Sequence, residues 1–465
     1  MFSEKTYTER RNKLRKQLGN GLILIMGNNE SPMNYPGNTY HFRQDSNFLY
    51  FFGLDFPGLA GVIDIDKNKD IIFGNDVDID DIIWMGPQES MKDKVLKAGV
   101  SNTEPFGKLT EYIETAKKQN RKIHYLPPYR SDNKIFLSNL LNMPVDKLKE
   151  NASVELIKGV VALRSIKEQA EINEIERYME VGYLMHTTAM KMAKPGVYER
   201  EIAGAIEGIA LACGGAVSFP VILSVHGETL HNHDHSNKMK EGDILIIDAG
   251  TESPLHYATD HTRVVPVSGK FTQKQKEIYE IVLNSQLAAI EAIKPGVTYQ
   301  SIHLLASKVI ADGLKAIGLM KGDTAEAVKQ GAHAMFFPHG LGHMMGLDVH
   351  DMEDLGEDYV GYDDEVKRSD LFGTAYLRLG RRLQEGFVLT VEPGIYFIPA
   401  LIDQWKAEKK FTEFINYERV EEYRNFGGIR IEDDVLVTAN GYKVLGMPIP
   451  KTVDEIETFM KKNRN

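Results

Sequence analysis

EGDILIIDAG at Glu241–Gly250 returns as EGFVLTVEPG at Glu385–Gly394. In each copy an apolar run in strand register follows a turn and leads straight into a carboxylate, Asp248 in the first and Glu392 in the second. Two more echoes keep the same order. KPGVYEREI at Lys194–Ile202 recurs as KPGVTYQSI at Lys294–Ile302, each after an alanine-rich helical stretch and before another helix, and Asp260–Gly269 is echoed by Glu432–Gly441. Lys-Pro-Gly alone is ordinary turn chemistry, and acids often follow strands. Three echoes in one order instead read as a duplication. The expectation is a C-terminal domain of two related halves, whose quasi-twofold arrangement brings strand-ending carboxylates together.

Outward from this repeat the pattern changes. From Tyr7 to about Leu148 apolar strands (GLILIMG, GVIDID, DIIFG) alternate with amphipathic helices, beginning with a basic helix over Glu9–Leu18. This predicts a separate α/β domain. The chain turns polar over Met143–Ser153, and a long helical stretch starts near Leu163. The boundary is therefore placed at about 155, with an N-terminal domain over 1–155 and the duplicated domain over 156–465.

With 465 residues, 42% hydrophobic and 26% charged, the chain has the composition of a globular protein with large cores. Its net charge of −11 and scattered lysines and arginines speak against a nucleic-acid partner. The N-terminus is charged from the start, and the first apolar run, Gly21–Gly27, is too short for a signal core or a membrane span. A cytoplasmic location without membrane contact is the expectation. Cys213 is the only cysteine, which excludes disulfides within the chain and thiolate metal clusters, and it reads as a buried small hydrophobe.

The chemistry sits in and around the repeat. Asp248 ends IIDAG, and Asp260 follows across a turn in HYATDHTRVV. PHGLGHMMGLDVHD carries His339, His343 and His350, LTVEPGIYF carries Glu392, and GGIRIEDDVLV carries Arg430 and Glu432. An acid at the end of an apolar strand is costly to desolvate unless a cation or donors meet it. Four carboxylates with at least one imidazole are hard oxygen donors plus nitrogen, suited to Mn²⁺, Co²⁺ or Fe²⁺ and less to a tetrahedral structural zinc. Shared carboxylates let two ions sit ~3.5–4 Å apart. Gly340 and Gly342 between His339 and His343 argue against a helical HExxH site.

IDAG, DHTRVVPVSGKF, HGLGHMMGLDVHD, VEPGIY and GIRIEDDVLVT together resemble the pita-bread metallopeptidases, the family of aminopeptidase P, prolidase and methionine aminopeptidase. YHFRQDSNFLYFFGL at Tyr40–Leu54 looks like the N-terminal domain of aminopeptidase P and, less closely, of prolidase. The resemblance implies an α/β N-terminal domain in front of a pseudo-twofold pita-bread catalytic domain. It implies that Asp248, Asp260, His343, Glu392 and Glu432 bind two metal ions, manganese by preference, with Asp260 and Glu432 bridging and Glu392 also helping to deprotonate the attacking water. His231, His339, His350 and Arg430 match family residues that contact substrate. It further implies a homodimer or homotetramer and a proline-containing peptide as substrate. His233 and His235 have no counterpart and read as a solvated loop.

Three features depart from the family pattern. The Asp248–Asp260 interval is one residue longer than the family pattern and holds Pro254, which suggests a lengthened or bulged hairpin. His261 stands where an aliphatic residue is usual, and the stretch between Pro399 and Phe426 is long and charged, as in prolidases. The implied reaction is attack of an activated water on the carbonyl before proline, with His350 or His231 and one metal meeting the oxyanion. An Xaa-Pro aminopeptidase is the leading reading. An Xaa-Pro dipeptidase, supported by Arg378 at the place of a prolidase arginine that holds the substrate carboxylate, is the alternative, and a catalytically dead peptide-binding module is the third.

Overall fold

The computed structural model describes residues 1–463, and they divide by compactness into two units. The first comprises Met1–Arg164 with the short piece Asp354–Tyr359, and the second Ser165–Glu353 with the chain from Val360 onward.

The first unit is built on a five-stranded mixed sheet in the order Thr103–Glu104, Lys69–Phe73, Ala60–Asp64, Leu22–Met26, Ile123–Tyr125. Leu22–Met26 runs parallel to Ile123–Tyr125 and antiparallel to Ala60–Asp64. The expected alternation of strands and helices is broken here: GVIDID and DIIFG pair with each other directly as a hairpin, without a helix between them. SNFLYFF forms the helix Ser46–Phe52, all of it buried, with the Asp45 side chain accepting from the Phe48 amide at its start. Its last carbonyls are met by buried arginines of the Glu4–Leu18 helix, as Arg10 donates to the Tyr50 carbonyl and Arg11 to that of Phe51. Arg11 is also paired with Asp70.

In the second unit each copy of the Lys-Pro-Gly segment joins two packed helices: Gln169–Met192 to Glu199–Ala212, and Gln273–Glu291 to Tyr299–Ala316. The long helical stretch expected from Leu163 is two helices, because Val154–Ser165 ends and a reciprocal cap between Glu168 and Glu171 starts the next. Each half then supplies a three-stranded sheet, with Ile244–Ala249 central in one and Asp433–Thr438 central in the other. The two sheets are stitched by a bridge between Thr262 and Glu432. The quasi-twofold duplication therefore builds the core.

Cys213 corrects the sequence reading. It caps the C-terminal end of the Glu199–Ala212 helix, where the chain leaves the core, and it is exposed. Among the described residues no helix is long and apolar enough to cross a membrane.

Candidate metal centre

Asp248 is in the strand Ile244–Ala249 opposite Thr262, and Asp260 immediately precedes the partner strand His261–Pro266. Between them the chain makes a closed excursion: Glu252 bridges to Ala258, and His256 turns the tip beside Pro254 with φ of 66°. At its base a Cβ on Gly250 would lie 1.7 Å from the Thr259 carbonyl, so only glycine lets the two arms close there. Both acids stay at the strand ends.

The second half repeats the device. Glu392 follows the strand Val388–Val391, and Glu432 precedes Asp433–Thr438, its amide donating to the Thr262 carbonyl at 3.1 Å. His343 is pinned to the same sheet, its amide donating to Thr390 Oγ1 at 3.1 Å while the Thr390 amide donates back to its carbonyl. Gly342 permits this, since a Cβ would fall 2.1 Å from the Thr390 carbonyl oxygen.

Asp260, His343 and Glu432 each bring a ligand-type atom within 4.8 Å of the others. Asp248 and Glu392 line the same cavity, of about 480 Å³. The hydrogen bonds assign the His343 tautomer: Nδ1 lies 3.0 Å from the Met344 carbonyl, which only accepts, so Nδ1 carries the proton. The bare Nε2 is then 3.5 Å from both Asp260 Oδ2 and Glu392 Oε1. A lone pair facing two carboxylates is an arrangement in want of a cation.

The electrostatics agree. Burial pushes the Asp260 carboxyl well above its usual range, and the neighbouring Asp248 charge adds to it. Burial together with Asp260 and Glu392 does the same to Glu432. Glu392 is pushed up to about 7, with burial leading and His343 and Arg430 opposing. Asp248 Oδ1 and Asp260 Oδ1 are buried without a hydrogen-bond partner. Oxygen donors crowded in this way fit divalent cations, which cancel the repulsion and fill the open coordination.

Beside the carboxylates runs a directed chain of hydrogen bonds. Arg430 donates to Asp248 Oδ2 at 2.5 Å, to Tyr396 Oη at 2.9 Å and to Thr262 Oγ1 at 3.1 Å. Thr262 in turn donates to Glu432 Oε2 at 2.6 Å. His339 Nδ1 donates to the Gly340 carbonyl at 2.8 Å, which leaves Nε2 to accept from the Tyr396 hydroxyl at 2.8 Å. Burial and the Arg430 charge hold His339 neutral, its pKa pushed down to about 3.

All the residues singled out in the sequence (Asp248, Asp260, His343, Glu392, Glu432, His231, His339, His350, Arg430 and Arg378) line this one cavity. His233 lines it too, although the sequence placed it in a solvated loop; it is exposed, but at the cavity mouth. His235 is half-buried and ties its Nε2 to the Val221 carbonyl at 3.1 Å. Tyr396, Thr262 and Glu353 are the residues that sequence reasoning missed. The first two stand inside the quoted motifs, and only strand pairing reveals what they hold.

A profile of metallopeptidase family M24 matches residues 173–439, and one of the aminopeptidase P N-terminal domain matches 7–124. A probable Xaa-Pro aminopeptidase of Fusarium vanettenii is 35% identical over 90% of this chain and 87% of its own length. The Xaa-Pro dipeptidase of Homo sapiens is 32% identical over 95% of this chain and 89% of its own. A variant of Escherichia coli aminopeptidase P solved in complex with substrate superposes with a TM-score of 0.81 at 30% identity, covering 100% of this chain and 99% of that one. These matches span both units, and the M24 profile covers every carboxylate of the cavity: the chain belongs to metallopeptidase family M24 and carries an aminopeptidase P N-terminal domain.

Proposed function

We propose that this protein is a dinuclear Xaa-Pro aminopeptidase, which releases the first residue from peptides whose second residue is proline. The observation that carries the reading is the convergence of Asp248, Asp260, His343, Glu392 and Glu432, drawn from both halves of the duplication, on one cavity that also holds histidines and two arginines. These five residues would hold two divalent ions, manganese in our reading and cobalt or iron as the other candidates for such donors. Such ions, when bound, would supply Lewis acidity that lowers the pKa of a water from 15.7 toward ~7 and polarises the scissile carbonyl.

The chain's own groups supply the rest. Glu392 takes the proton of the attacking water, a role its position beside His343 and Asp260 suits. Arg430 orients Asp248 and, through Thr262, Glu432. The N–H of His350 is committed to Glu353 at 2.6 Å, so we assign the oxyanion contact to His231 and leave His350 Nε2 to exchange a proton with substrate. Phe219, Pro220, Ile222 and Leu230 give the cavity an apolar wall for a pyrrolidine ring. A cytoplasmic homodimer or homotetramer completes the proposal.

Xaa-Pro dipeptidase is the second reading, favoured by Arg378 in the cavity lining, a natural partner for the free carboxylate of proline. The test compares an Xaa-Pro dipeptide with an Xaa-Pro-Xaa tripeptide in wild type and Arg378→Ala. We expect the tripeptide to be cleaved, and the substitution to affect both substrates to a similar degree. Cleavage of dipeptides alone, with KM raised about 10–100-fold in Arg378→Ala, makes the protein a dipeptidase.

A further inference from the structure

Glu353 belongs to none of the motifs that lead to the cavity, yet it touches two of the cavity's cationic or basic groups. Its Oε2 accepts from His350 Nδ1 at 2.6 Å and lies 3.4 Å from Arg378 Nε. Both partners line the cavity, and His350 in turn packs edge-on against His343, with ring centroids 4.4 Å apart. The hydrogen bond from His350 and the nearby Arg378 charge hold the Glu353 carboxyl down at about 2, so it stays ionised through the working pH range.

A guanidinium with a carboxylate at this distance presents little net charge to an arriving anion, and a second carboxylate at Arg378 meets like-charge repulsion from the first. The free acid of an Xaa-Pro dipeptide brings such a carboxylate. A peptide that continues past proline brings a neutral amide at the same place. We propose that Glu353 is a specificity-determining residue: by occupying Arg378 it disfavours substrates with a free carboxylate on proline and favours those whose chain continues. The inference rests on the Xaa-Pro hydrolase reading and deepens it.

The experiment measures kcat/KM for Ala-Pro and for its C-terminal amide with the metal-loaded enzyme. Glu353→Gln keeps an oxygen to accept from His350 and removes the charge. The ratio of free acid to amide is expected to rise about tenfold, the scale of one charged interaction, carried by KM of the free acid. In an Arg378→Ala background the same substitution is expected to change the ratio less than about twofold, because the effect acts through the guanidinium. Calorimetric affinities of the two ligands for the metal-free protein should move in the same ratio. An unchanged or lowered ratio in Glu353→Gln overturns this role for Glu353 whichever substrate wild type prefers. Preference of wild type for the dipeptide over a tripeptide defeats the aminopeptidase reading and leaves the ratio test standing.

Discussion

Glu432, Asp433 and Asp434 are consecutive and all buried, at 2%, 4% and 0% exposure, yet their surroundings treat them in opposite ways. Burial alone would raise Asp433, but Arg263 at 2.6 Å and Lys451 at 2.7 Å hold it well below the usual carboxylate range, and Gln286 adds a donor at 3.0 Å. Glu432 has the Thr262 hydroxyl and faces Asp260 and Glu392, so burial and like charge both push it up. Asp434 accepts the Asp260 amide at 2.8 Å and is otherwise pushed up by burial and the Asp260 carboxylate. The protein gives Asp433 two cations of its own, whereas in the cluster next to it Arg430 pairs with Asp248 and the carboxylates Asp260, Glu392 and Glu432 stay pushed up. A fold that compensates its structural acid so fully and leaves three others crowded around the Arg430–Asp248 pair is built to take further positive charge from solution.

The strongest way to break this contrast is to remove the external charge. Incubation with a chelator is expected to bring Xaa-Pro hydrolysis to background, and Mn²⁺ or Co²⁺ to restore it, as followed by release of the N-terminal residue. Full activity in a preparation free of metal by elemental analysis would sink the claim that the crowded carboxylates serve a metal.

The converse experiment strips the internal charge. Arg263→Met leaves Asp433 with Lys451 and deprives the Glu432 carbonyl of its donor. Breaking one side of a buried pair of this kind costs about 3–5 kcal/mol, read as a lowered urea midpoint of the metal-loaded protein. A loss below ~1 kcal/mol would mean that Asp433 is compensated in another way.

A smaller effect sharpens the comparison with bases in place of acids. His303 and His333 are fully buried, their ring nitrogens have no hydrogen-bond partner, and burial lowers their pKa values to about 3 and about 4. Because the folded pKa is depressed, the unfolded chain binds the extra proton first. The stability each neutral ring contributes is complete above pH ~6.5 and is lost as pH falls toward 4. Between pH 7 and 5, wild type should lose about 2 kcal/mol more than His333→Leu by urea unfolding. Equal pH slopes for the two proteins would show that His333 is not held neutral.

Much of the site was legible because its determinants are local. Strand register runs into Asp248 and Glu392 within single segments, and duplication of those segments carries the quasi-twofold on its face. His343 was legible within its motif, though not which of its nitrogens faces the carboxylates. The N-terminal unit was readable as α/β, and the hairpin between Ala60–Asp64 and Lys69–Phe73 was misread as part of a strand–helix alternation although the short gap between the two apolar runs leaves no room for a crossover helix. Cys213 was misread because cysteine's usual burial says nothing about a helix end that leaves the core.

The sequence by itself determined the two-half plan, which follows from periodicity along the chain, and the order of the strand-borne carboxylates and the histidine, while the resemblance of their motifs made them candidate ligands. Only the tertiary structure decided which acids are neutralised. Arg263 and Asp433 are 170 residues apart, as are Thr262 and Glu432, while Arg430 reaches Asp248 across 182. Glu353 is the same kind of case: its neighbour His350 is close in sequence, but Arg378 reaches it only through the fold. Charge compensation falls off with distance in space and is blind to distance along the chain, so a run such as Ile431–Asp434 cannot announce which of its carboxylates a distant arginine will meet.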